Sequence, residues 1–265
     1  MLSLDLIKAK INAKRIKFFI VSLLITGCLF FSVSVNREFR LIYSAIFIIS
    51  SLALTFWVLE VKLYSKVAFI LLILPLHFLF GALVSFFEFP NFSFLMRVLI
   101  TFIIFNLYYI MLLVLNIFAV VEDRGKSIPL YRVAITWVQI LIVVFSIPSY
   151  SVMFKLAIHP LMQVLLVTLS TFLLVLFFLV MLDLELNNVD IKLSFLTAFW
   201  VFILSTSILF LPFEAFFRGL FLSSVLLFGV GYSYHYLKHS LTRQILLEYI
   251  MITIAFLFVG LLFIP

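Results

Sequence analysis

Apolar residues along this chain do not alternate with polar ones at the period of a strand. They come in nine unbroken runs, at about 18–35, 41–59, 67–87, 95–121, 131–148, 161–182, 193–212, 217–235 and 245–264. A helix needs about 20 apolar residues to cross about 30 Å of hydrocarbon, whereas a barrel strand shows a two-residue period. Only a helix satisfies its own backbone polar groups in lipid. The pattern therefore predicts an all-α, polytopic transmembrane helical bundle. The first, fifth and seventh runs are short, which leaves eight spans open as a count. The connecting segments are brief and leave no room for a soluble domain. The expected organisation is a basic N-terminal segment, 1–17, followed by one transmembrane helical domain, 18–265.

Composition sharpens the same picture. Of the 265 residues, 66% are hydrophobic and 11% charged, against about 45–50% and 25% in soluble domains. A soluble fold of this length has too little interior to hide so much apolar surface. The single cysteine, Cys28, excludes an intrachain disulfide. The net charge of +7 is spread through short loops, which points to membrane topology and to no nucleic-acid partner. With the N-terminus inside, the outer segments hold Arg37, Arg40, Arg97, Lys155 and Arg218, and the inner segments hold the other 13 of the 18 cations. This bias predicts a cell-membrane protein with a cytoplasmic N-terminus and an external C-terminus.

At the start, Leu4, Ile7 and Ile11 follow helical spacing beside Lys8, Lys10, Lys14 and Arg15. Such a segment orients the first helix and attracts anionic lipid head groups on the cytoplasmic face. Residues 24–28, "LITGC", resemble a bacterial lipoprotein signal. The apolar run continues past Cys28, so the expectation is an uncleaved helix. In layout the chain is similar to uncharacterised multi-pass membrane proteins of bacteria, a resemblance that supplies no activity.

Three sets of residues are candidates for chemistry. "FEAFFRGLF", residues 213–221, resembles the first motif of the CAAX-type intramembrane proteases, roughly E-E-x-x-x-R-G. Glu214, Arg218 and Gly219 match it, and Phe213 stands in the place of the first glutamate. The resemblance implies a hydrolase completed by a histidine, for which His235 and His239 are the candidates. A straight helix separates Glu214 from His235 by about 30 Å, too far for shared proton transfer. The preferred expectation is an interfacial ion pair between Glu214 and Arg218, four residues apart. "HYLKH", with Tyr236 where a zinc-protease helix carries glutamate, gives no metal site, and no cofactor is expected.

The third set lies at mid-span: His77, Asn106 and Gln139, with Tyr109 and Asn116 continuing one stripe from Asn106. Polar groups at that depth are costly without partners and should face protein. They are expected either to bond helices together or to line a cavity. All 11 acidic residues sit at span ends or loops, which argues against ion-coupled transport. The resulting expectation is a non-catalytic membrane protein with a structural or interaction role. The alternatives are a passive transporter or flippase for an amphipathic solute or lipid, and a hydrolase using Glu214. The loop "VEDRGKSIPLYR", with Glu122, Asp123, Arg124 and Lys126, is expected to be a solvated turn rather than a docking site.

Overall fold

The computed structural model describes residues 2–61, 68–88, 93–124 and 129–262, with side chains from Lys14 onward except that of Arg124. Lys62, Lys66, Asn91, Phe92 and Lys126 lie outside the described residues. The helices are α1 (Leu2–Ser32), α2 (Arg40–Leu59), α3 (Ala68–Leu71), α4 (Ile73–Glu88), α5 (Phe94–Arg124), α6 (Leu130–Met153), α7 (Pro160–Asp183), α8 (Asn188–Ile208), α9 (Ala215–Leu237) and α10 (Arg243–Leu262). Among the described residues there is no strand, and α3 with α4 makes the third of nine helical stretches long and apolar enough to cross a membrane.

Local chemistry sets the boundaries. Pro75 has no N–H for the carbonyl of Leu71, and its ring crowds that oxygen, so the third stretch breaks between Leu71 and Ile73. His159 caps α7 by accepting the Leu161 N–H at 3.3 Å, with Pro160 at the first helical position, where no donor is needed. Asp190 accepts the Asn187 N–H at 3.0 Å at the start of α8. Leu184 adopts a left-handed conformation at the end of α7 and returns its N–H to Val180.

One expected boundary is corrected. The fifth stretch does not stop at Pro148 but continues to Met153, and Ser146, Ser149 and Ser151 donate to the Val143, Phe145 and Ile147 carbonyls of the same helix. Helix α1 runs unbroken from Leu2 to Ser32, so residues 2–17 continue directly into the first apolar stretch.

Helix α6 is the hub. It packs along α9 and α4 and also touches α5 and α7. Helix α1 lies against α5, α2 and α4, α8 against α7 and α9, and α10 against α9. Small residues permit the closest crossings. A Cβ on Gly81 would come 3.2 Å from the Ser149 Cα, and one on Gly219 would come 2.6 Å from the Ser151 nitrogen. The buried centre is otherwise filled by large side chains such as Phe118, Phe145, Phe177, Phe178 and Tyr108. Helix α10 is peripheral, with Gly260 its buried residue.

Candidate functional site

The break before α4 delivers His77 into the junction of α4, α6 and α7. The residue is buried, with 8% relative exposure, and its Nδ1 lies 2.9 Å from the Ser170 hydroxyl of α7. The Ser149 hydroxyl, bonded to Phe145 on its own helix at 2.8 Å, also approaches the His77 carbonyl at 3.4 Å. Tyr150 presents its ring edge-on to His77 at 6.1 Å, and its hydroxyl meets that of Thr171 at 2.8 Å. Imidazole and four hydroxyls thus join α4, α6 and α7. The Nε2 of His77 is buried without a hydrogen-bond partner.

A second polar contact lies elsewhere in the core. The fully buried Tyr108 of α5 bonds through its hydroxyl to Thr55 of α2. The sequence stripe had pointed to Tyr109, one residue on. Tyr109 is only partly buried and packs against the rings of Phe19 and Phe105. A step of one residue turns a helical side chain by about 100°, which is enough to exchange a core position for a peripheral one.

The remaining expected members do not assemble around His77. Asn106 is exposed on the outer face of α5 and spends its amide on the Phe102 carbonyl, 2.7 Å away on its own helix. Gln139 is partly exposed on α6, next to the exposed Trp137 and Ile140 and away from the Val138–Leu141–Ile142 core face. Asn116 is partly buried, and its Oδ1 has no partner. Rotation about each helix axis was not readable from sequence.

The Glu214–Arg218 pair also takes a different form. Glu214 is exposed and extended at the N-cap of α9, with no side-chain cap bond. Arg218 instead donates to the Leu211 carbonyl at 3.3 Å and lies over the Phe154 ring at 5.9 Å. Because Glu214 is not itself helical, four residues of spacing do not bring the two side chains together. The protease resemblance fares no better geometrically. Glu214 precedes α9, His235 occupies its last turn, and the intervening helix spans about 30 Å. His235 bonds to Ser240 at 2.9 Å, and among the described residues no three His, Cys, Asp or Glu side chains gather as metal ligands.

Sequence reasoning missed two features. One is a charge cluster at the end of α2, where Glu60 lies 3.3 Å from Lys14 and 3.2 Å from Lys17. The other is an apolar crevice of about 210 Å³ lined by Phe78, Ala82 and Phe86 of α4, Ile100 and Ile104 of α5, and Pro148 of α6. None of the five mid-span polar residues lines it. Compared with known proteins, the chain matches no family model, no curated protein and no solved structure.

Proposed function

We propose that the chain is a multi-pass integral protein of the cell membrane, cytoplasmic at its N-terminus and external at its C-terminus, with a structural or interaction role and no catalysis. The nine long apolar helices support insertion, and the asymmetry of Lys and Arg supports the orientation. One observation carries the non-catalytic reading: the expected polar layer disperses. His77 turns into a packed junction with Ser170 and Tyr150, while Asn106 is exposed on α5. A passage for a polar solute or head group needs a connected polar lining; instead His77 bonds between helices and Asn106 bonds only within its own. At the cytoplasmic rim, Lys17 spreads its charge over the Trp57 ring at 5.5 Å, a surface suited to anionic head groups.

Reconstitution tests this reading. Vesicles containing the protein are expected to scramble labelled lipid and leak small solutes no faster than empty vesicles. Flux that disappears in both His77→Phe and Asn106→Ala would establish passage instead. A cytoplasm-only reporter active after Pro265 would reverse the orientation, and a protein monodisperse without detergent would refute insertion.

A further inference from the structure

We propose that the crevice between α4, α5 and α6 holds one acyl chain of a phospholipid, whose phosphate pairs with Arg97. This rests on the membrane reading above. The walls are apolar: Phe78, Ala82, Ile100, Ile104 and Pro148 face the space. Its hydroxyl-bearing lining residue, Ser85, already donates to the Gly81 carbonyl at 2.6 Å. Such a surface offers nothing to water, and an apolar hollow of this kind fills with hydrocarbon or stays dry. In a bilayer the neighbouring lipid tails supply the hydrocarbon. Pro148 contributes to the hollow because it cannot donate to the Val144 carbonyl and its ring crowds that turn, and Val144 also borders the space.

Charge fixes the lipid's direction. Arg97 precedes Ile100 by one turn, about 4.5 Å along α5, and lies within about 20° of Ile104 around the axis. It therefore continues the crevice-lining face to the rim where α4 ends and α5 begins. Arg97 is partly exposed, and no ion pair or side-chain hydrogen bond engages it among the described residues. Among the other cations on this side, the Arg40 guanidinium is engaged by the Phe87 carbonyl at 3.4 Å and the Phe87 ring at 5.0 Å. Glu88, the nearby carboxylate at the end of α4, lies about 100° round its helix from the crevice-lining side chains. A phosphate at the rim thus meets a free cation while one tail follows Ile100 and Ile104 inward. The volume has room for a stretch of one chain and not for a whole lipid, so the second tail remains in the bilayer.

Native mass spectrometry of the full chain, released from detergent with phosphatidylglycerol added, tests the site. The wild type is expected to retain one lipid through delipidation. Arg97→Gln, at a partly exposed position, is expected to lower retention about fivefold, the effect of one cation on an anionic head group. Ala82→Phe, which fills the crevice, is expected to lower it at least as much. Lys192→Gln, at an exposed cation on α8, should retain lipid as the wild type does. Diacylglycerol, with the same tails and no phosphate, should be retained about as poorly as phosphatidylglycerol is by Arg97→Gln. Either crevice variant retaining lipid like the wild type, or diacylglycerol retained equally well, overturns the proposal. All variants should still require detergent for extraction, so failure of the site is distinct from failure of the membrane reading.

Discussion

His77 and Ser170 stand 93 residues apart in the chain and 2.9 Å apart in the fold, imidazole Nδ1 against hydroxyl. This bond ties α4 to α7 across the flank of α6. Its energetic meaning depends on what is removed. Ser170→Ala leaves a buried imidazole with neither nitrogen satisfied, because Nε2 already lacks a partner, and should destabilise the protein by about 1 kcal/mol. Adding His77→Leu to that variant removes the stranded ring and should recover most of the loss, since replacing both partners by apolar groups of similar size is nearly neutral. Thermal unfolding in detergent checks both. If the double variant is less stable than Ser170→Ala alone, the imidazole contributes something other than this bond.

The crossing of α6 and α9 gives the sharpest steric contrast. A Cβ on Gly219 would stand 2.6 Å from the Ser151 nitrogen and 2.9 Å from the Ile147 carbonyl, both backbone atoms that cannot rotate away. Gly219→Ala should therefore force the helices apart and cost about 1–3 kcal/mol. At Gly27 a Cβ meets nothing within 4 Å. Gly27→Ala should be neutral or raise stability by up to about 1 kcal/mol, the helix-propensity gap between the two residues. Unfolding in mixed micelles should place Gly219→Ala below the wild type and Gly27→Ala at or above it, and equal behaviour would mean that the crossing is not under tight contact.

The helices were legible in the sequence because span length and apolar content are one-dimensional properties. The connecting segments needed only the chain order. The site was less legible because it depends on azimuth. His77 is buried, yet nothing in the apolar pattern marks its partner Ser170 or the neighbouring Thr171. Thr171 does bond to Val167 at 2.8 Å, and it meets Tyr150 as well. Uniformly apolar helices carry little signal for which face turns inward, so Tyr108 and Tyr109 are indistinguishable before packing is known. The Glu60 cluster was hidden for another reason: its partners lie more than forty residues earlier, on α1.

Asn106 supplies a direct check on azimuth. Its amide donates to Phe102 on its own helix, and the side chain is exposed. Asn106→Leu should leave stability unchanged or raise it slightly, because no interhelical bond is lost and a polar group leaves an exposed face that the proposed bilayer would cover. Spin labels or cysteine-reactive probes at Asn106→Cys should report lipid rather than protein contact. A marked loss of stability in Asn106→Leu would place the residue against another helix and restore the polar stripe.

Glu60 combines backbone strain with charge, and acid should separate the two. It ends α2 in a left-handed conformation, with φ 55°, which costs a non-glycine residue about 1 kcal/mol. Lys14 also donates to the Leu59 carbonyl at 3.4 Å, placing a cation at the negative end of α2. Partial burial pushes the Glu60 carboxyl upward, but hydrogen bonds and charge from Lys17 and Lys14 outweigh it and hold the group below its ordinary value of 4.5. A carboxylate depressed in the folded state contributes fully above that ordinary value and loses its contribution as pH falls through the lower, folded one. The side chain is 48% exposed, so solvent keeps the effect small. Wild type should therefore be slightly more stable than Glu60→Gln at neutral pH, and the two melting temperatures should converge as the solution is acidified below 4.5. A gap that persists unchanged in acid would assign the contribution of Glu60 to packing rather than to its two lysines.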